Sequence, residues 1–118
     1  MSETIRLKAS DGHEFDAYVS RPSGQPVAGL VVLQEAFGVN RHIRSVADGY
    51  TKEGFLAVAP ALFDRIQRNV ELGYDGADLQ QGIALARQSN PADAVTDVAA
   101  TLAYLRKETA RKRGVIVP

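Results

Sequence analysis

A glutamate and a small turn follow an apolar stretch of the chain. Residues 28–33 form a continuous apolar run, and Glu35 and Ala36 come soon after it. Such a run predicts a strand covered on both faces, and ligands bind beyond the carboxyl ends of parallel strands. At that edge Glu35 can act as a general base or hold a catalytic proton, and the Ala36 N–H can face a developing oxyanion. In the alternative interpretation, Glu35 is a partly buried carboxylate that pairs with an arginine, and Gly38 is only a turn residue.

A second group of candidate residues follows the next apolar run, at residues 55–59, and so belongs to the same edge of the sheet. Phe63, Arg65 and Tyr74 lie in this irregular stretch, and together with Phe37 they are candidates to contact a substrate. Arginines here can bind an anion. A solvated loop with surface ion pairs is the alternative, and it is favoured for any one of these side chains.

Other chemistries find little support in the sequence. The chain has two histidines, His13 and His42, and no cysteine, so no metal site is expected. Neither a Gly-x-Ser-x-Gly segment nor a phosphate-binding glycine loop occurs, and no cofactor is expected. A basic cluster near the C-terminus is expected to complement a helix end rather than bind nucleic acid, because no aromatic residue is interleaved. Its members are Arg106, Lys107, Arg111, Lys112 and Arg113.

The elements that position these residues can be predicted from periodicity. Alternation in residues 5–9 and 15–19 predicts an antiparallel hairpin at a sheet edge. Asn40 is expected to cap a helix that Gly54 ends, and residues 55–59 form a buried strand stopped by Pro60. A helix is predicted from Asp75 or Asp78 to about residue 88, although Gly82 weakens it.

Asn90 and Pro91 predict the start of a further helix that runs to about Glu108. Its predicted buried stripe consists of Val95, Val98, Leu102 and Leu105. Another apolar strand is expected at residues 115–117. The predicted fold class is therefore α/β, with an antiparallel hairpin followed by a mostly parallel, doubly wound sheet.

Composition indicates that residues 1–118 form one globular domain or a piece of one. Hydrophobic residues make up 45% of the chain, and 14 basic side chains balance 14 acidic ones. This content argues against a disordered chain, and zero net charge removes bulk attraction to nucleic acid or anionic lipid. No run approaches the length of a membrane helix, and no secretory signal is present at the N-terminus, so a cytoplasmic location is expected.

Several segments resemble the dienelactone hydrolase (carboxymethylenebutenolidase) family of the α/β-hydrolase superfamily. They include VVLQEAFGVN at residues 31–40, HIR at 42–44, EGF at 53–55 and VAPALFDR at 58–65. The resemblance covers nearly the whole chain. It implies a cysteine nucleophile in a Gly-x-Cys-x-Gly turn, followed by an aspartate and a histidine. The strand before that turn resembles residues 115–117, so the chain is expected to be a truncated, N-terminal portion of such an enzyme.

The resemblance also assigns roles to residues of this chain. Glu35 matches the glutamate that engages the cysteine thiol, and Ala36 matches the residue whose N–H forms half of the oxyanion hole. Some members bind a substrate carboxylate through an arginine and a tyrosine in the helix after the irregular segment. Here residues 78–85 read DLQQGIAL, and Arg87 is out of register. Dienelactone itself is therefore not the expected substrate.

Two functions follow as predictions. The first is hydrolysis of a small-molecule carboxylic ester or lactone by acyl transfer to a cysteine outside the chain, with the 118 residues inactive alone. The second is a non-catalytic binding or assembly module, in which an exposed C-terminal strand pairs two copies as a homodimer.

Overall fold

The computed structural model describes residues 1–109 and the backbone of one further strand. The strands are β1 (Ser2–Lys8), β2 (Glu14–Ser20), β3 (Gly29–Val32), β4 (Leu56–Pro60) and β5 (Gly114–Val117). The helices are α1 (Arg41–Lys52), α2 (Gly76–Gln88) and α3 (Pro91–Glu108), and a short 3₁₀ turn spans Leu62–Arg65. Three members of the predicted basic cluster, Arg111, Lys112 and Arg113, lie outside the described residues.

One mixed sheet connects the five strands in the order β1-β2-β4-β3-β5. β1 and β2 form the antiparallel hairpin, and β2 is antiparallel to β4. β3 is parallel to both β4 and β5. This confirms the α/β class, with the hairpin at one edge and the parallel strands at the other. The carboxyl ends of β3, β4 and β5 consequently meet at one end of the sheet.

Helices cover both faces of the parallel strands, which explains why these strands carry no alternating polar residues. On one face Leu105 of α3 packs with Val31 and Val58, and on the other Ile43 and Ala47 of α1 pack with Val32. All residues of β3 and β4 are buried. Removal of this apolar surface from water supplies the main stabilisation of the unit.

The predicted helix starts are confirmed. The Asn40 side chain accepts a hydrogen bond from the Ile43 N–H at 3.1 Å, and Asn90 accepts one from the Ala92 N–H at 2.9 Å. Both bonds satisfy backbone donors that the first helical turn leaves without a partner. Beyond α1, Gly54 takes a φ of +98°, the left-handed conformation that ends helices.

The predicted buried stripe of α3 is wrong at one position. Val95 is 69% exposed, whereas Asp97, Thr101 and Leu105 face the interior. The helix turns this face inward because Asp97 bonds to Arg65, an interaction that apolar periodicity does not reveal.

Two smaller details also differ from the predictions. Pro60 does not stop β4 but belongs to it, because it pairs with Ala17 and closes the strand. Part of the predicted irregular stretch is the ordered 3₁₀ turn. None of the described helices is both long enough and apolar enough to cross a membrane.

Candidate active site

The turn after β3 is fixed by contacts on two sides. The Gly38 N–H donates to the Glu35 carbonyl at 3.3 Å, which closes the turn. Gly38 has a φ of +79°, and a side chain there would overlap the Val70 carbonyl. Only glycine combines this conformation with so close an approach, so Gly38 sets the path of the turn that carries Glu35 and Ala36.

Gln34 connects this turn to the one after β4. Its side-chain Nε2 donates to the Glu35 carbonyl at 3.2 Å, and its Oε1 accepts from the Leu62 N–H at 2.9 Å. The carboxyl ends of two neighbouring strands are thereby joined by one amide. Sequence reasoning did not single out Gln34, although its place between the apolar run and Glu35 was a possible signal.

Helix α2 packs directly against the same turn. A Cβ at Gly82 would overlap the Ala36 carbonyl oxygen. The glycine that weakened the helix prediction therefore allows the helix to approach the backbone of Ala36. The Ala36 peptide is held between α2 and the Gly38 turn.

Glu35 is exposed in the structure and forms no ion pair with any of the described residues. The alternative interpretation, in which Glu35 pairs with an arginine, is thus not seen within this part of the chain. The Ala36 N–H likewise forms no hydrogen bond to another described group. Both groups therefore have no partner among the described residues at the carboxyl end of β3. Val32 of β3 is in register with Val117, so the turn also lies beside the end of β5.

A cavity of about 420 Å³ opens beside this turn. Its walls are residues 34–36, the 3₁₀ turn and the junction of α2 with α3. The cavity brings together four of the predicted site residues: Glu35, Ala36, Phe63 and Arg65. Phe63 is only 5% exposed and contributes to the floor.

Phe37 and Tyr74 are not among the residues that line this cavity. Phe37 packs against a buried cluster that includes Val70 and Leu72, and its ring meets the Tyr74 ring edge-on with centroids 4.5 Å apart. Tyr74 is 48% exposed and lines a separate surface cleft with Asn40. A substrate contact by either aromatic residue stays a prediction.

Arg65 is held by carboxylates of the protein. Its Nε and Nη2 donate to the two oxygens of Asp97 at 3.0 and 2.8 Å, and Nη1 donates to Asp11 at 2.8 Å. The Asp97 side chain is 1% exposed. Hydrogen bonds to Asp97 and then Asp11 raise the pKa of Arg65 further above its usual value. Arg65 thus forms ion pairs, as the alternative interpretation expects, but its pair with Asp97 is buried rather than at the surface. The role of Arg65 toward a substrate stays a prediction.

Sequence reasoning gave Asp97 no part in this network. The available signal was its position four and eight residues before Thr101 and Leu105, which places a carboxylate on the inward face of a helix. A carboxylate on such a face needs a cationic partner. Arg65 supplies it from the 3₁₀ turn.

His42, for which the sequence predicts no catalytic or metal-binding role, also lies near Glu35. It lines a further cavity of about 360 Å³ together with Glu35, on the α1 side of the turn. Glu35 therefore borders two cavities. His13 lies next to the hairpin and does not line either of them. No three histidine, aspartate or glutamate side chains within the described residues form a group able to hold a metal.

The chain is similar to known proteins over most of its length. Residues 15–117 match the model of the "Dienelactone hydrolase family". A "Carboxymethylenebutenolidase" from Pseudomonas putida is 30% identical over 109 residues, 92% of this chain and 46% of that protein. A "Putative carboxymethylenebutenolidase" from Synechocystis is 41% identical over 75 residues, 64% of this chain and 30% of that protein.

A solved structure shares the architecture. The "Putative Dienelactone Hydrolase" from Klebsiella pneumoniae superposes with a TM-score of 0.77 at 25% identity, covering 98% of this chain and 49% of that one. The chain spans less than half the length of each of these three relatives.

Proposed function

The chain belongs to the dienelactone hydrolase family, and from this premise we propose that it forms the N-terminal part of a hydrolase that cleaves a carboxylic ester or lactone by acyl transfer. One observation carries the proposal. Glu35 and the Ala36 N–H stand side by side at the end of β3, on the wall of a cavity and next to the end of β5. This is the edge at which parallel α/β sheets place their ligands.

The proposed mechanism divides the work between this chain and a second stretch of polypeptide. The 118 residues contain no cysteine, so the attacking thiolate comes from outside them. Glu35 engages the thiol and takes up its proton, and the thiolate attacks the carbonyl carbon. The Ala36 N–H donates to the oxyanion that develops. A histidine, also supplied from outside these residues, relays this proton from Glu35 to the oxygen of the leaving alcohol. The histidine then takes a proton from the water that attacks the thioester and returns it to the sulfur as the acid departs.

The chain alone is expected to be inactive. Without a nucleophile, no acyl intermediate can form. Only substrate binding and one donor of the oxyanion hole remain. Purified 118-residue chain should therefore hydrolyse p-nitrophenyl acetate no faster than buffer does.

The test restores the missing part. We would join residues 1–117 of this chain to the remainder of the Pseudomonas putida relative and measure kcat/KM on p-nitrophenyl acetate. The chimera should be active, and Glu35→Gln should lower kcat/KM by about 100-fold or more, the usual contribution of a positioned acid–base group. Glu53→Gln is the matched control, because Glu53 is an exposed residue at the other end of α1.

Two results would overturn the proposal. One is turnover by the 118-residue chain that Glu35→Gln abolishes. The other is a chimera that folds and retains full activity with Glu35→Gln, as judged by circular dichroism and by comparison with Glu53→Gln. A cytoplasmic location stays a prediction, independent of this test.

An assembly role is the second candidate function. The observation that favours it is the position of β5 at the edge of the described sheet, with β3 on one side. Edge strands present backbone donors and acceptors to other chains. A second copy of this chain is the proposed partner.

A further inference from the structure

We infer that the cavity beside Glu35 receives an uncharged acyl group and rejects one that ends in a carboxylate. The inference rests on the proposed function, because it concerns the substrate of the same site. It differs from that function in what it predicts, since a hydrolase of either substrate type would use Glu35 and Ala36 in the same way.

The charges that line the cavity are predominantly negative. Glu35 and Asp93 contribute carboxylates, and Arg65 contributes the single cation among the described residues that line the cavity. The nearest Asp93 oxygen lies 3.7 Å from Arg65 Nη1. Two carboxylates against one guanidinium give this described lining a net charge of −1, which repels an anionic ligand.

The guanidinium of Arg65 moreover already has hydrogen-bond partners within the protein. Asp97 and Asp11 lie outside the cavity lining, yet both accept hydrogen bonds from its guanidinium. All three guanidinium nitrogens already donate to Asp97 or Asp11, so a substrate carboxylate could gain these donors only by displacing one of the two. Displacement of Asp97 would leave its buried carboxylate without a partner, an expensive state. The arginine therefore offers little to an incoming anion.

The surface that remains available in the cavity is apolar. Leu62, Phe63, Ile66, Ala86 and Ala94 present hydrocarbon to it. Such a lining favours burial of an aliphatic or aryl group, whose transfer from water is favourable.

The polar side chains of the same walls are already bonded within the protein. Ser89 Oγ donates to the Leu85 carbonyl at 3.0 Å, and Gln88 Nε2 donates to the Ala84 carbonyl at 3.1 Å. Asn90 is occupied as the cap of α3. These groups therefore have less to offer to a charged substituent than their chemistry alone suggests.

Other cations lie on the far side of the turn. Arg41 and Arg44 line the cleft that contains Tyr74, and Arg44 bonds to Glu71 and to the Val39 carbonyl at 2.9 Å. Neither arginine lines the cavity beside Glu35. An anion bound in that cleft can be distinguished from one in the cavity by the residues it perturbs.

The test compares two probes of equal shape and different charge on the 118-residue chain. At neutral pH, 4-phenylbutanamide and 4-phenylbutanoate are titrated into ¹⁵N-labelled protein and followed by NMR. The amide should shift the backbone signals of Ala36, Ile66 and Ala94, and it should bind about tenfold more tightly than the carboxylate. Asp93→Asn should narrow this ratio severalfold by strengthening the binding of the carboxylate.

The control is Asp75→Asn, a substitution of the same type at an exposed residue outside the cavity, which should leave the ratio unchanged. Equal or tighter binding of the carboxylate in the cavity would overturn the inference. So would the absence of any shift at these three residues up to the solubility limit of the amide. Either result leaves the chimera test of Glu35 unaffected, so the two proposals can fail separately.

Discussion

Gly82 and Gly49 each lie in the interior of a described helix, and their surroundings are opposite. Gly82 in α2 faces the Ala36 carbonyl, and a Cβ there would overlap it. Gly49 in α1 has no atom within 4 Å of the position that a Cβ would take. Replacing each glycine by alanine therefore tests whether α2 supports the turn that carries the proposed oxyanion donor.

We expect Gly82→Ala to lower the free energy of unfolding by about 2 kcal/mol, because overpacking outweighs the better helix propensity of alanine. Gly49→Ala should raise it by about 0.5–1 kcal/mol, since only propensity changes there. Urea unfolding followed by circular dichroism measures both. A Gly82→Ala variant as stable as Gly49→Ala would show that α2 does not contact Ala36 as described.

At the scale of elements, Arg65 ties together three parts of the chain. It belongs to the 3₁₀ turn, and its partners Asp97 and Asp11 belong to α3 and to the hairpin turn. A hydrogen bond from Arg65 is the main cause that lowers the pKa of Asp11 to about 2, and a hydrogen bond from the His13 N–H is the second. Because the folded chain holds this carboxylate ionised more strongly than the unfolded chain does, the ion pair stabilises the fold above the usual pKa near 4.

The stabilisation from Asp11 should disappear as the pH falls from about 4 through about 2. Asp11→Asn should therefore be less stable than the parent chain at pH 6, and the difference should shrink across that interval. Thermal unfolding at a series of pH values measures it. Asp75→Asn is the comparison, because Asp75 has no ion pair within the described residues. A difference between parent and Asp11→Asn that stays constant from pH 6 to pH 2 would contradict the assignment.

The elements themselves could be predicted where local chemistry determines them. Asn40 and Asn90 set helix starts through their own side chains, and the apolar strands follow from burial on both faces. What could not be predicted depends on contacts between distant residues. Val95 is exposed because Asp97 turns α3 toward Arg65, and that pairing joins residues 32 positions apart.

The candidate site likewise combines features that the sequence predicts with features that depend on contacts between distant residues. The position of Glu35 and Ala36 follows from the order of strand and turn, which the sequence contains. The partners of Arg65 and the separation of Tyr74 from the cavity depend on how α2, α3 and the 3₁₀ turn pack together. Residue types alone made Arg65 and Tyr74 equivalent candidates, and only their three-dimensional neighbours distinguish them.

At the scale of the whole molecule, the two edges of the described sheet differ. β1 forms one edge with alternating exposed residues, whereas β5 forms the other edge of the described sheet. Val115 to Val117 pair with β3 on one side of β5 only. The backbone groups on the other side have no partner within the described strands, which favours pairing with another β5.

We therefore expect the purified 118-residue chain to associate, with two copies pairing their β5 strands around a twofold axis. Successive residues of a strand direct their N–H groups to opposite sides, so Val115→Pro and Ile116→Pro remove donors from different edges of β5. One of the two variants should lose association and keep its fold, while the other should weaken the pairing with β3 and lower the free energy of unfolding. Light scattering over a concentration series, with urea unfolding in parallel, separates these outcomes. A monomeric mass for the parent chain at every concentration would exclude the assembly role and leave the hydrolase proposal standing.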